Sequence, residues 1–398
     1  MTTKITDGRI VLLGNGSDRI LDGYSLYIRD ESIFGIFRDG APACPAADRI
    51  IDAAGRYVSP GFIDLHTHGA GGSDFLDCEA DGFLTAARTH AAHGTTALLP
   101  TATSGDLGEL YEMLDVYRAA NAKNTDGAAF LGLHLEGPYF SPAQKGAQDE
   151  KYVRGFDKDE YREILRRGAG DIRRWSAAPE LPGACDFART LYAHGVLPSI
   201  GHTDAESDEV ERAFEAGFTH VTHLYSCTSG VHRRNGLRYA GVIESAYLND
   251  DMTVEIIADG IHLPASLLKL VYKIKGSART ALVTDSMRGA GMPEGPSILG
   301  SKKHGLEVVV EEGVAKMPDR TCFAGSVATM DRLVRNMVKL AGVPLPDAVK
   351  MASETPARII GAARKGVLAD GYDADVVLFD DNIGITMTMV KGRVIYGG

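Results

Sequence analysis

The sequence predicts an α/β fold in which a (β/α)8 TIM-type barrel is flanked by a small β-sandwich domain formed by both chain termini. From Pro60 onward, short β-branched or apolar runs alternate with longer segments of helical period, a pattern typical of βα units around a parallel sheet. Residues 1–58 and 374–396 contain only strand-like segments, and neither could bury both of its faces alone. The predicted domains are therefore residues 1–58 and 366–398 for the sandwich and 59–365 for the barrel.

Eight segments of the predicted barrel have the length and composition of strands. They are residues 61–66, 95–100, 129–135, 174–178, 196–201, 219–224, 253–258 and 280–285. Helical periodicity predicts helices over 106–122, 158–168, 205–216 and 262–274, with Asp204 as N-cap of the third and Gly217 ending it. A hairpin that turns at Glu312-Gly313 and an amphipathic helix that includes Met330 follow the last strand.

Composition limits the classes of partner. The chain has 398 residues and a net charge of −11, which argues against binding to nucleic acid or to anionic membranes. The sequence shows neither a signal-peptide pattern nor an apolar run of about 18 residues, so we expect a cytoplasmic protein. Its five cysteines are scattered and lack C-x-x-C spacing, which favours reduced thiols over disulfides or a structural zinc site.

Histidines and carboxylates mark the ends of several predicted strands. His66 and His68 are two residues apart, so in a strand both imidazoles point to the same side. The other residues at strand ends are His134, Glu136, His202, His223, His262 and Asp285. Because the carboxyl ends of barrel strands meet at one mouth, these side chains are expected to converge there.

Such a set of donors predicts a metal-dependent enzyme. Imidazole nitrogens and carboxylate oxygens suit Zn²⁺, and Fe²⁺ is an alternative. Asp285 is the expected general base and acid, because it ends its own strand beside the predicted ligands. The glycine cluster at 69–72 lacks the spacing of a nucleotide-binding loop and is interpreted as a simple loop.

These motifs resemble those of the N-acetylglucosamine-6-phosphate deacetylases of the amidohydrolase superfamily. They are HTH at 66–68, HLEGP at 134–138, GHT at 201–203, THLY at 222–225, ADGIH at 258–262, VTD at 283–285 and AGS at 324–326. The C-terminal run from SETPARIIG to GYDADVV is similar to the superfamily's return into its sandwich, so the resemblance covers essentially the whole chain. It implies hydrolytic deacetylation of an N-acetyl amino-sugar 6-phosphate, most simply N-acetyl-D-glucosamine 6-phosphate, with release of acetate.

The resemblance also implies roles for individual residues. Glu136, His202 and His223 match the principal metal ligands, and Asp285 matches the catalytic aspartate. Family members that keep the first histidine pair can hold two ions, so His66 and His68 favour a second ion, giving one or two per subunit. From its position two residues before Glu136, His134 is expected to orient Glu136 or to pack rather than to bind metal.

Substrate contacts are expected at His262, Ser226, Cys227, Arg233, Arg234, Gln148 and Ser326. The resemblance implies that His262 contacts the sugar, and that Arg233 or Arg234 reaches the phosphate in the neighbouring subunit of a homodimer. Ser226 replaces the family's usual Asn, and Gln148 replaces a common histidine. Both departures concern the substrate and not the metal.

Two alternative functions remain open from the sequence. The departures at Ser226 and Gln148 allow a related amidohydrolase that acts on the galacto epimer, on an unphosphorylated N-acyl sugar or on a cyclic amide. A non-catalytic scaffold that retains the barrel is the other alternative, although such a protein would be expected to lose ligands or the aspartate. The sequence also leaves open which metal binds and which of Arg233 and Arg234 contacts phosphate.

Overall fold

The computed structural model describes residues 1–14 and 18–398. The N-terminal part consists of strands β1 (Thr2–Leu12), β2 (Arg19–Arg29), β3 (Ser32–Arg38), β4 (Arg49–Asp52) and β5 (Tyr57–Pro60). No helix occurs among the described residues before β5, as the sequence predicts.

Strands and helices then alternate. In chain order they are β6 (Phe62–Thr67), β7 (Gly69–Ala70), β8 (Ser73–Asp74), α1 (Ala80–Ala91), β9 (Thr95–Ala102), α2 (Leu107–Lys123), β10 (Ala129–Phe130), β11 (Leu133–Glu136), α3 (Lys158–Arg167), β12 (Ile172–Ala177), α4 (Ala184–Ala193), β13 (Leu197–Ile200), α5 (Ser207–Ala216), β14 (His220–Val221), β15 (His232–Arg234), β16 (Leu237–Tyr239), α6 (Val242–Leu248), β17 (Thr253–Ile256), α7 (Ala265–Lys275) and β18 (Thr280–Leu282).

The remaining elements complete the chain. They are β19 (Gly295–Leu299), β20 (Leu306–Glu311), β21 (Val314–Lys316), β22 (Phe323–Ser326), α8 (Met330–Lys339), α9 (Leu345–Ala352), α10 (Glu354–Ile359), β23 (Val376–Phe379), β24 (Ile385–Val390) and β25 (Arg393–Gly397). Strands β19 to β22 form a four-stranded antiparallel sheet, which includes the predicted hairpin between β20 and β21.

Eight strand positions form the predicted parallel barrel. Pairing runs β6–β9–β11–β12–β13–β14–β17–β18, and β10 is a separate first piece of the third strand. The barrel closes where Thr67 bridges Ser286 and the Asp285 N–H donates to the carbonyl oxygen of His66 at 2.8 Å. Apolar side chains such as Ile63, Leu99 and Val283 are buried in one cluster of the core. The predicted barrel is confirmed.

The helices lie close to the predicted ranges. The Asp106 carboxylate accepts from the Gly108 and Glu109 N–H groups and begins α2, while Gly217 ends α5 at φ +119°, a conformation that glycine adopts without strain. The prediction of Asp204 as N-cap of α5 is wrong, because the helix begins two residues later behind Glu206, whose backbone N–H bonds the Glu209 carboxylate. Within the described residues, every helix is too short or too polar to cross a bilayer.

Both ends of the chain meet in one mixed sheet, as predicted. The strand order is β25–β24–β23–β5–β1–β2–β3, with β4 also paired to β1, and the antiparallel β23–β5 pair joins the two termini. The sheet curls back on itself, since Ser32 at the start of β3 bridges Asp373 just before β23. The enclosed core has its own cluster of apolar residues, among them Leu26, Val58 and Met389.

Candidate metal centre and active site

Six predicted residues converge at the carboxyl ends of the barrel strands. His66 and Glu136 lie in β6 and β11, and the others lie within three residues of the ends of β6, β13, β14 and β18. All six are buried, namely His66, His68, Glu136, His202, His223 and Asp285. Burial of this many polar groups at one place needs partners, and here they are each other's partners.

Glu136 lies at the centre of the cluster. Its Oε1 is 3.0 Å from His223 Nε2 and 3.1 Å from His202 Nε2, while its Oε2 is 3.4 Å from His68 Nε2. Two triads therefore share this carboxylate: His66, His68 and Glu136 form one, and Glu136, His202 and His223 form the other, each with donor atoms within 4.8 Å of one another. If a cation were bound at each donor set, Glu136 would be a ligand common to both sites.

Asp285 lies against the first triad. Its Oδ1 is 3.1 Å from His68 Nε2 and 3.5 Å from His66 Nε2. Burial raises the pKa of this carboxyl, but the His66 and His68 imidazoles outweigh that effect and lower the pKa below its usual value. Asp285 is therefore a carboxylate at neutral pH, in contact with both the cluster and the cavity above it.

The donor set fits a divalent cation. His66 Nε2 and His223 Nδ1 are fully buried and have no hydrogen-bond partner among the residues that the structure describes. Burial disfavours charge on His66, yet the carboxylates of Asp285 and Glu136 prevail and raise its pKa to about 9. Two carboxylates thus draw positive charge into a dry site, and imidazole nitrogens with carboxylate oxygens are ligands of Zn²⁺ and Fe²⁺.

Contacts at Nδ1, on the side of each ring that faces away from Glu136, fix the orientation of three imidazoles. His202 Nδ1 is 3.0 Å from the Gln144 carbonyl oxygen, and His68 Nδ1 is 3.3 Å from the Thr101 carbonyl oxygen. His66 Nδ1 is 2.9 Å from the Glu255 carboxylate. Each acceptor holds a proton on Nδ1 and leaves Nε2 for the centre, which is how ligating histidines are normally oriented.

The turns that carry these residues have unusual backbone conformations. His202, His223, Cys227 and Asp285 all have positive φ, at 49°, 27°, 49° and 46°. Residues other than glycine rarely adopt this region, and such conformations concentrate at functional sites. The bends turn these side chains towards the barrel mouth at the point where each strand ends.

His134 lies beneath the cluster and belongs to neither triad. Its Nε2 is 2.8 Å from Ser176 Oγ, and its Nδ1 is 3.3 Å from Thr101 Oγ1. Its ring meets the His66 ring edge-on, with the centroids 4.5 Å apart. Burial and the nearby Arg174 guanidinium hold the pKa of His134 well below its usual value, so the ring is neutral. It supports the His66 ring by packing.

A cavity of about 480 Å³ opens above the cluster. Of the predicted substrate residues, Gln148, Ser226, Cys227 and His262 line it. Ser326 does not, because its buried hydroxyl donates to the Thr284 carbonyl oxygen and accepts from the Ala328 N–H. The prediction that Ser326 contacts substrate therefore has no support from its position.

Gln148 contacts a member of the cluster directly. Its side-chain N–H donates to Glu136 Oε2 at 2.9 Å, and its Oε1 accepts from the Ser104 N–H at 2.8 Å. The amide therefore holds the oxygen of the shared carboxylate that faces His68. This contact gives Gln148 a part in the cluster that the sequence did not suggest.

The two predicted arginines lie outside the cavity of their own chain. Both are exposed on the β15–β16 hairpin. Arg234 is 2.7 Å from Glu206 Oε1 and lies over the Tyr239 ring, whereas Arg233 has no hydrogen bond or ion pair within the described part of the chain. The cavity is instead lined by Lys316 and Arg320, two cations that sequence reasoning missed.

Comparison with known proteins agrees with this geometry. The model of the amidohydrolase family matches residues 57–395, which span the barrel and the part of the terminal sheet formed by β5, β23, β24 and most of β25. The N-acetylglucosamine-6-phosphate deacetylase of Vibrio furnissii is 34% identical over 340 residues, covering 85% of this chain and 83% of that protein. The chain belongs to the amidohydrolase family. Within it, the Bacillus subtilis N-acetylglucosamine-6-phosphate deacetylase is 33% identical, over 89% of this amidohydrolase and 88% of that protein.

Solved structures give the same result. A variant of the N-acetyl-D-glucosamine-6-phosphate deacetylase of Mycobacterium smegmatis, in complex with N-acetyl-D-glucosamine-6-phosphate, superposes with a TM-score of 0.88 at 31% identity and covers 100% of this amidohydrolase and 99% of that chain. The Pasteurella multocida N-acetylglucosamine-6-phosphate deacetylase superposes with a TM-score of 0.90 at 27% identity, covering 99% of both chains. The whole fold, including the terminal sheet, is therefore shared with these proteins.

Proposed function

We propose that this amidohydrolase removes the acetyl group of an N-acetyl amino-sugar 6-phosphate, with N-acetyl-D-glucosamine 6-phosphate as the substrate. The observation that carries the proposal is the cluster around Glu136, with Asp285 beside it, on the floor of a cavity large enough for a sugar phosphate. The relatives with which the chain shares its whole fold carry this activity in their names.

The residues of the cluster divide the work of amide hydrolysis. A divalent cation held by Glu136, His202 and His223, with a second one at His66 and His68, would lower the pKa of water and polarise the acetyl carbonyl. Asp285 accepts the proton of the attacking water as the bond from oxygen to the acetyl carbon forms. It then returns that proton to the sugar nitrogen as the C–N bond breaks, so that acetate and the free amine leave. We propose zinc as the metal.

The cavity wall supplies substrate recognition. His262 faces the cavity with its Nδ1 2.7 Å from Asp259 Oδ2, so its Nε2 is oriented to contact a sugar hydroxyl. Ser226 and Cys227 lie at the turn after β14, where the phosphate is expected. Arg233 is the better candidate for an arginine that crosses into the neighbouring subunit of a homodimer, because Arg234 is already held by Glu206. A guanidinium binds phosphate with paired N–H groups.

A second candidate function is hydrolysis of another N-acyl sugar. The side-chain N–H of Gln148 is engaged by Glu136, and Lys316 and Arg320 add cations to a different wall of the cavity. These features would suit an epimeric or differently substituted amino sugar. A non-catalytic role is disfavoured, because all predicted ligands and Asp285 are present and assembled.

The test is acetate release from three substrates. N-acetyl-D-glucosamine 6-phosphate, its galacto epimer and the unphosphorylated sugar are incubated with the purified protein and with its Asp285→Asn variant, and the bound metal is measured in both. The proposal expects the highest kcat/KM with the glucosamine phosphate and little turnover by the variant. A preference for the epimer would support the second candidate, and absence of turnover with bound metal present would reject both.

A further inference from the structure

We propose that Glu255 is a positioning residue, which sets the tautomer of His66 and the backbone turn at His223 and so gives both metal triads their geometry. Glu255 lies in β17 and reaches neither the cavity nor Glu136, and it is fully buried inside the barrel. The inference rests on the proposed metal centre and concerns a carboxylate that no sequence motif singled out.

The first contact is with His66. Glu255 Oε1 accepts from His66 Nδ1 at 2.9 Å, with both side chains inaccessible to solvent. A proton held on Nδ1 leaves the Nε2 lone pair free. That Nε2 atom is 3.5 Å from both Glu136 Oε1 and Asp285 Oδ1, so it points to the centre of the first triad.

The second contact is with the turn that carries His223. The same Glu255 Oε1 accepts the backbone N–H of His223 at 3.2 Å, and the Glu255 carbonyl oxygen accepts the N–H of Leu224 at 2.8 Å. His223 has φ +27°, which the surrounding contacts must hold in place. One residue therefore connects a ligand of the first triad to a ligand of the second.

The other carboxylate oxygen is held by cations and donors on the opposite side. Arg174 Nη1 is 2.5 Å from Glu255 Oε2, and the same guanidinium donates from Nη2 to Thr222 Oγ1 at 2.8 Å. His220 Nε2 lies 3.2 Å from Glu255 Oε2. With Oε2 occupied in this way, Oε1 is the atom left to face His66 and His223, and the carboxylate cannot rotate without losing Arg174.

This arrangement makes the Glu255→Gln variant informative. An amide has one oxygen and one NH₂ group, and the Arg174 guanidinium, which can only donate, would bond to the oxygen. The NH₂ group would then face His66 and donate to Nδ1, which forces the proton of a neutral imidazole onto Nε2. The variant keeps the side-chain volume but removes the lone pair that a metal at the first triad needs.

The experiment compares the purified holoenzyme with Glu255→Gln and with Asp331→Asn. Asp331 is a matched control, because it is a buried carboxylate paired with Arg335 and lies outside the cluster. For each protein we would measure zinc per chain after dialysis, the visible spectrum after cobalt substitution, and thermal unfolding. For Glu255→Gln we expect roughly 10- to 100-fold weaker metal binding and an altered cobalt spectrum, while Asp331→Asn keeps the wild-type metal content and cobalt spectrum.

The outcomes separate this inference from the proposed function. A Glu255→Gln protein with wild-type zinc affinity and cobalt spectrum, destabilised only in thermal unfolding, would show that Glu255 serves the fold alone and would overturn the inference. A wild-type protein that binds no zinc or other divalent metal would overturn both proposals. Acetate release by zinc-loaded wild type, together with an unaffected variant, would leave the proposed function standing and reject the role of Glu255.

A second measurement does not depend on whether Glu255→Gln folds. Histidine-ring ¹⁵N NMR of the zinc-loaded wild-type protein, with the His66 signals assigned by their loss in His66→Asn, reports which nitrogen carries the proton. We expect a proton on Nδ1 of His66. A proton on Nε2 would contradict the positioning role directly.

Discussion

The backbone N–H of Asp285 donates to the carbonyl oxygen of His66 at 2.8 Å, and this bond joins the last strand position of the barrel to the first. The same contact places the Asp285 carboxylate 3.5 Å from His66 Nε2. The contact that closes the barrel therefore also brings Asp285 to the cluster. A substitution that separated the first and last strands at this contact, the barrel seam, would be expected to disturb both the fold and the site.

Replacement of Asp285 by asparagine should reduce turnover more than binding. The amide keeps the shape of the side chain but cannot accept a proton, so kcat should fall about 10²- to 10⁴-fold with a small change in KM. Acetate release and metal content measured on the same preparation test this. Turnover at the wild-type rate would exclude Asp285 as the proton carrier.

Substitution of a histidine that belongs to only one triad should remove metal from that triad and leave the other triad loaded. His68→Asn removes a donor from the first triad only, and His202→Asn removes one from the second only, whereas both triads share Glu136. Elemental analysis should therefore show a partial loss of metal in each histidine variant and a nearly complete loss in Glu136→Ala. Equal metal content in all three variants would mean that the ion binds elsewhere.

Metal affinity should rise with pH. In the metal-free protein Asp285 and Glu136 raise the pKa of His66 to about 9, so this imidazole carries a proton at neutral pH that must leave before a cation binds. Binding should release protons, and affinity should increase as the pH approaches 9. Titration calorimetry with zinc in two buffers of different ionisation enthalpy measures the protons released. Identical heats in both buffers would contradict the expectation.

Acid should destabilise the fold through His90. Burial lowers the pKa of His90 to about 4, and its Nε2 is 3.0 Å from the Thr67 hydroxyl at the barrel seam. Because the folded pKa lies below the unfolded one, this stability is present above about pH 6.5 and is lost as the pH falls towards 4. Between pH 7 and 4.5, urea unfolding should show roughly 2 to 3 kcal/mol more loss in wild type than in His90→Gln. Equal losses would exclude His90 as the group responsible.

The two hairpin arginines should behave differently. Arg233→Ala should raise KM for the phosphorylated sugar and leave KM for the unphosphorylated sugar unchanged, because its guanidinium has no partner among the described residues and, in the proposed homodimer, contacts the phosphate in the neighbouring subunit. Arg234→Ala is the adjacent control. It should raise KM for the phosphorylated sugar less, since Arg234 is held by Glu206 and Tyr239 of its own chain. Steady-state kinetics of both variants, with sedimentation to determine oligomeric state, decides between them. A larger effect at Arg234 would reverse the assignment.

The sequence predicted the barrel well because its signals are local. Strand runs such as TTALLP and AFLGLHL are bounded by turn residues, and a ligand at a strand end stands out when it recurs at one end of several strands. The hydrogen-bond partners of Gln148 and Ser326 could not be predicted, because each depends on which backbone group lies beside the side chain in space.

Glu255 and Arg174 illustrate a second kind of limit. Both lie within predicted strands, where a charged residue is normally predicted to face solvent. The structure turns both inwards and pairs them across the barrel, from strands 81 positions apart in the chain. Lys316 and Arg320 were missed for a similar reason, since a surface hairpin gives no sign that it folds over the cavity. The cap was misplaced at Asp204 because the carboxylate of this residue accepts from the Gln144 side chain instead, and the helix begins after Glu206.

The pairing of β5 with β23 affects how the chain folds during synthesis. Val376 to Phe379 pair with Tyr57 to Pro60, so the strand that leads into the barrel waits for a partner that is synthesised more than 300 residues later. Until then the edge of β5 is open, and an open edge can pair with other nascent chains. Ribosome-bound or prematurely terminated chains should therefore be the species that most need chaperones.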